Sequence, residues 1–235
     1  MLQSSLQLAT MDAFVPSLSP LVALAFLGAG FVIVVGTVAA GIAFAARRVR
    51  LAQWIAGAAL AVAVGYGAFL VGASLVSRDR TLTPGERKYF CEIDCHIAYD
   101  VTSAEPAGAG GRAVTLRTWF DPSTIAPFRG DAPLSPGPRT VYLLDDAGRR
   151  YDPSPEATAA WQKAHGGSTP LGRELRPGES YTTTLIFDLP PDARGPRLYV
   201  GDPPGGVEKV LIGHENSPMH GKVYLALPAT RAEAG

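Results

Sequence analysis

The chain has 235 residues, a formal net charge of +0 and only 18% charged residues. Its basic residues are scattered and balanced by acids, which excludes the electrostatic footprint of a nucleic-acid binder. So little charge also means that something other than water faces part of the molecule.

Residues 1–20 form a short tail without lysine or arginine, so they lack the basic n-region of a cleaved signal peptide. Residues 21–46 and 51–77 contain no Asp, Glu, Lys, Arg or His. About 20 apolar residues cross a bilayer core at ~1.5 Å rise each, so both runs are long enough to span with some tilt. The few residues between them dictate an antiparallel transmembrane hairpin with the lipid bilayer as its first partner. Its turn carries Arg47, Arg48 and Arg50, and reads as cytoplasmic by the positive-inside rule. Arg78, Arg80, Arg87 and Lys88 follow the second span and pull the other way, offset in part by Asp79 and Glu86. The hairpin reads as an anchor, because ion and proton paths need ionisable groups inside the membrane. Gly57, Ala61 and Gly65 recur every four residues, a spacing that lets helix backbones approach closely. That stripe serves either the packing of the two helices on each other or a membrane partner.

Residues 84–228 change to short β-prone runs between Pro and Gly clusters, the pattern of an all-β sandwich. About seven strands are expected, over 89–101, 113–120, 140–145, 180–189, 197–200, 207–212 and 221–227. One short helical insertion is expected in "SPEATAAWQKAHGG", with Ser154 as N-cap, Pro155 in the first turn, Glu156 near the positive end and Gly166 as the stop. His165 then sits in the last turn, where a cation is favoured. Residues 229–235 read as a flexible tail.

The stretch "YFCEIDCHIAYDV" holds both cysteines of the chain. On one regular strand, alternation places Tyr89, Cys91, Ile93, Cys95, Ile97, Tyr99 and Val101 on a core face. Glu92, Asp94 and His96 then make a polar cluster on the outer face. Cys91 and Cys95 would lie about 13 Å apart at ~3.3 Å per residue. A disulfide needs Cα atoms within about 7 Å, so a regular strand makes them two separate buried thiols, and only a bend or bulge would join them.

The segments "DDAGRRYDPSP", "LRPGESYTTTLIFDLP" and "GHENSPMHGKVYLAL" resemble the later strands of a bacterial extracytoplasmic immunoglobulin-like domain family of unassigned function. The resemblance covers about 85–228. It implies an immunoglobulin-like sandwich on the outer, periplasmic side of the cytoplasmic membrane, and it implies no reaction.

Two functional readings follow. The first is a non-catalytic accessory protein that presents its sandwich to a membrane or extracytoplasmic protein partner. Its contact candidates are Ile125, Phe128 and Trp161, each of which could equally belong to a small satellite core. No Gly-x-Ser-x-Gly, His-Glu-x-x-His or phosphate-loop signature argues for an enzyme. The alternative is a copper-binding or electron-transfer subunit. Two membrane helices before an outer sandwich resemble the layout of cytochrome oxidase subunit II, and the Cys91–Cys95 spacing is similar to its paired copper ligands. In that family the cysteine loop lies near the end of the sandwich, whereas here it opens the domain, and Tyr99 stands where a histidine would be expected. Copper would use Cys91, Cys95, His96, Met219 and His220, with His214 as a further candidate, because thiolate, imidazole and thioether ligands suit it. No other cofactor is expected.

Overall fold

The computed structural model describes residues 12–16, 20–91, 96–108 and 110–229. The chain divides into two units. One comprises residues 16–78 and 204–221, the other residues 1–15, 79–203 and 222–235.

A first strand, β1 (Ala13–Pro16), precedes two helices, α1 (Pro20–Ala45) and α2 (Val49–Val76). Both helices are long and apolar enough to cross a membrane. Arg47 turns the chain between them at φ 58°. The helices run antiparallel, so Phe26 meets Tyr66 with ring centroids 6.4 Å apart and Gly36 meets Ala59. A Cβ on Gly36 would lie 3.0 Å from the Ala59 Cβ, so glycine sets the helix separation there. Ala43, Ala52 and Ala59 are buried in the same seam. Gly57, Ala61 and Gly65 are exposed, and nothing lies within 4 Å of a Cβ built on either glycine. The stripe therefore faces away from α1, and the seam uses the α2 face that carries Ala52 and Ala59.

The second unit is a β-sandwich. After α2 come β2 (Arg80–Leu82), β3 (Lys88–Cys91), β4 (Ile97–Pro106), β5 (Gly111–Phe120), β6 (Thr140–Leu144) and β7 (Arg150–Tyr151). Then follow α3 (Pro155–His165), β8 (Ser180–Asp188), β9 (Arg197–Gly201) and β10 (Val223–Ala226). One five-stranded sheet has the order β1-β3-β4-β5-β8, the other β2-β10-β9-β6-β7. Phe90, Ile97, Tyr99, Leu116, Phe120 and Phe187 of the first sheet share one apolar core with Leu82, Leu143, Leu198, Val200 and Leu225 of the second.

Beyond β3 the first sheet is extended by β1, and at its β8 edge it is covered by α3, as exposed strand edges invite pairing with other chains. The Ala13 N–H donates to the Arg87 carbonyl at 2.9 Å, which brings β1 onto β3. At the β8 edge, Thr158 Oγ1 accepts from the Ile186 N–H at 3.0 Å and Gln162 Nε2 donates to the Thr184 carbonyl at 3.4 Å. Both come from α3, whose Ser154 cap accepts from the Ala157 N–H and whose stop, Gly166, is left-handed at φ 91°.

The structure corrects two strand assignments and adds three short strands. The expected single strand over 89–101 is two antiparallel strands, with Phe90 opposite Ile97 and Tyr89 opposite Ala98. The chain therefore reverses between Cys91 and His96, and the two-face sorting of a continuous strand does not apply. Phe90 belongs to the core and Tyr89 to the other face, where it stacks on Phe14 at 4.8 Å. The expected strand over 207–212 is instead a 3₁₀ turn, Gly206–Val210. The short strands β1, β2 and β7 were not expected at all.

Candidate functional site

The cysteine stretch forms one end of the β3–β4 hairpin. Cys91 is half-buried and disulfide-bonded; the only other cysteine of the chain is Cys95. Glu92, Ile93, Asp94 and Cys95 lie outside the described residues. A sulfur held in a disulfide is not a thiolate ligand, so the copper reading requires that bond to be reduced first.

His96 is buried, not on an exposed polar face. Its ring packs 5.1 Å from the Phe120 ring, and its carbonyl accepts from the Asp121 N–H at 2.8 Å. Met219 and His220 belong to the unit that holds the helices, whereas Cys91 and His96 belong to the sandwich. His220 Nδ1 donates to the Gly221 carbonyl at 2.7 Å, which occupies that ring nitrogen. Among the described residues no group of three or more His, Cys, Asp or Glu is arranged to hold a metal ion.

The hairpin bonds to the start of the long connection 121–139. Asp121 is the pivot: its carboxylate accepts from the Ser123 N–H at 2.9 Å, the Ser123 hydroxyl at 2.7 Å and the Tyr89 hydroxyl at 2.7 Å. Burial alone would raise its pKa. The Ser123 and Tyr89 bonds outweigh that, and the carboxyl is held below the usual carboxylate range. Burial and the bond to Asp121 push the Tyr89 phenol up to about 12, despite Arg87. Further along, Ile125 packs against the core, and the Arg129 guanidinium lies 4.7 Å over the Phe120 ring while donating to the Ala132 carbonyl at 2.7 Å. Leu134 and Leu175 exchange backbone hydrogen bonds at 3.0 Å. Between these fixed points Phe128 projects outward, 83% exposed.

Thus the three contact candidates separate. Ile125 is an internal anchor, and Trp161 is half-buried and stacked on His165 at 3.8 Å within α3. Phe128 alone of the three presents a large apolar surface to solvent. The sequence named it; what it could not supply was the Asp121 pivot, which depends on Tyr89 being brought across by the hairpin.

No protein-family model matches the chain, and no curated protein does. Among solved structures, a secreted protein from Mycobacterium tuberculosis, MPT63, is similar at 14% identity with a TM-score of 0.37, over 53% of this chain and 90% of that one. A conserved hypothetical protein from Bacillus anthracis is similar at 14% identity with a TM-score of 0.30, over 48% of this chain and 87% of that one.

Proposed function

We propose that this chain is a non-catalytic, membrane-anchored accessory protein whose sandwich presents the connection 121–139 to a partner protein outside the cytoplasmic membrane. The observation that carries the reading is Phe128: a fully projecting aromatic on a connection pinned at Asp121, Ile125, Arg129 and Leu134. Aromatic side chains, Phe among them, are enriched at protein interfaces, and a preordered loop loses less entropy when it docks.

In this reading α1 and α2 cross the membrane twice, with the arginine turn in the cytoplasm and the immunoglobulin-like domain outside. The three turn arginines support that orientation. So does the disulfide at Cys91, since such bonds persist in oxidising compartments and are rare in the cytosol.

A photo-crosslinking residue in place of Phe128 in the intact membrane should give a discrete adduct with one other protein, and Phe128→Asp should abolish copurification of that protein. A chain that extracts as a monomer under mild detergent and yields no adduct from this position would overturn the reading.

A further inference from the structure

The segment 204–221, between β9 and β10, belongs with the helices and not with the sandwich. Two bonds fix it to α2. The Tyr66 hydroxyl donates to the Val210 carbonyl at 2.6 Å, and the Gly221 N–H donates to Ser77 Oγ at 2.7 Å. Gly221 is pressed so closely on the Arg78 backbone that any Cβ would overlap it. Tyr66 and Ser77 are about 16 Å apart along a helix rising ~1.5 Å per residue. The segment therefore descends about that distance alongside the last three turns of α2.

Counting from Leu51, the first residue after the arginine turn, the ~20 residues that cross the hydrocarbon core end near Leu70. Tyr66, and with it Val210, then lies about 6 Å inside the core boundary. Non-helical backbone at that depth must satisfy its own polar groups. This segment meets part of that need through a chain of turns: the N–H groups of Leu211, His214, Ser217 and His220 donate to the carbonyls of Glu208, Leu211, His214 and Ser217 in succession. The Ser217 hydroxyl adds a bond to the Leu211 carbonyl, and the Asn216 N–H donates to His214 Nδ1 at 3.0 Å. His214, Glu215 and Ser217 are buried. The side chains left outside include Val207, 42% exposed, Val210, 40% exposed, and the exposed Lys209, whose long stem can carry its ammonium toward the headgroups. Val207 and Val210 stand three residues apart on the 3₁₀ turn and so lie on one side of it. Met219, near the Ser77 level, is 63% exposed.

We propose that 204–221 is a membrane-seated collar, with Val207 and Val210 in the acyl chains of the outer leaflet and Met219 among its headgroups. The occupant we assign is lipid, because Tyr66, which holds Val210, lies on α2 between the exposed apolar side chains Val64 and Phe69. The proposal rests on the reading of α1 and α2 as membrane spans.

The test uses the full chain in phosphatidylcholine vesicles with a single added cysteine carrying an environment-sensitive fluorophore, the native disulfide being left oxidised. The positions are Val207→Cys, Val210→Cys, Met219→Cys, Phe128→Cys and Leu60→Cys. A nitroxide placed high on the lipid acyl chain should cut emission from 207 and 210 more than from 219, and leave 128 unchanged. Aqueous iodide should give the reverse order. Leu60→Cys, exposed on the middle of α2, should respond to a nitroxide at mid-chain. If 207 and 210 follow the iodide pattern of 128 while Leu60→Cys responds to lipid, the helices span and the collar is refuted. Protection of 207 and 210 from both quenchers also refutes it, because protein and not lipid then covers the segment. No lipid response at Leu60→Cys removes the membrane reading itself.

Discussion

Replacing Lys88 with Met tests what holds the two sheets in register. Lys88 lies on the inward face of β3, is fully buried, and reaches across to the second sheet. The β9–β10 ladder ends at the pair Tyr199 and Tyr224. Just beyond it the carbonyls of Val200 and Val223 both accept from the Lys88 ammonium, at 2.6 and 2.9 Å. The same ammonium sits 4.6 Å over the Tyr199 ring. A hydrogen bond from a charged group contributes about 1.5–3 kcal/mol, and carbonyls that lose their donor in a dry interior add a desolvation cost. Against this, burying an ammonium is itself expensive, and apolar replacements of buried charges are sometimes neutral. Met keeps the apolar stem, so the net for Lys88→Met is a loss of about 3 kcal/mol, which for a domain of this size lowers the midpoint by roughly 6–12 °C. Thermal unfolding of the detergent-solubilised chain, followed by near-ultraviolet circular dichroism of the tyrosines, reads it directly. Lys222→Met is the control: its ammonium also lies over Tyr199, at 4.9 Å, but on a half-buried residue, and a change within about 0.5 kcal/mol is expected. If Lys88→Met melts at or above the parent, the bonds to Val200 and Val223 do not outweigh ammonium burial and the pinning role is wrong.

Three other outcomes are expected. Asp145 is desolvated, which raises its pKa, but bonds from the Arg149 N–H, the Arg149 guanidinium and the Tyr151 hydroxyl prevail and hold it below the usual carboxylate range, as at Asp121. Protons then bind the unfolded chain first, so stability is full above about pH 3.9 and falls as pH drops from there through the depressed folded values. Asp145→Asn should flatten that acid limb in unfolding titrations. At the other extreme, burial raises the Tyr99 phenol to about 12 despite Arg139, and Tyr89 is likewise at about 12. The unfolded phenols ionise first, near 10, so stability should decline between about pH 10 and 12, with phenolate absorbance appearing in step with unfolding. In the membrane unit, Gly36→Leu must push Ala59 away and should lower oxidative cross-linking between Phe26→Cys and Tyr66→Cys; Gly57→Leu and Gly65→Leu should leave it unchanged.

How far the sequence could be read depended on whether a signal was local. The two helices, and α3 with Ser154 and Gly166, are written in runs and caps that need no distant partner. Strand length is different. Tyr89 through Val101 alternates well enough to pass for one strand, because a hairpin with short arms keeps apolar and aromatic residues on both sides of its turn. Only pairing decides it, and β3 pairs with β4 while β1, from before the helices, closes its other edge. The same holds for the 3₁₀ turn over Gly206–Val210. The β-prone run Val207 to Ile212 suits a strand by composition, but the Val210 carbonyl accepts from Tyr66, far away in sequence, and the chain turns. The small-residue stripe lies outside the seam between the two helices for a related reason, which leaves its membrane-partner reading open. Gly57, Ala61 and Gly65 satisfy the spacing rule, yet Ala52 and Ala59 make the seam, because Gly36 on α1 provides the hollow that admits Ala59.

The cysteine stretch shows how such a non-local fact changes chemistry. Extended at ~3.3 Å per residue, Cys91 and Cys95 are too far apart for any shared bond, and His96 points away from both. The antiparallel pairing of β3 with β4 removes the extended-strand premise of that distance. Cys91 enters a disulfide, His96 turns in against Phe120, and its carbonyl ties the hairpin to Asp121. Tyr89 and His96, on the two arms of the hairpin, both bond Asp121, from which the connection that carries Phe128 starts. If reducing Cys91 frees the hairpin without weakening the Phe128 adduct, the disulfide is not what orders the connection, and Asp121 with Tyr89 must suffice.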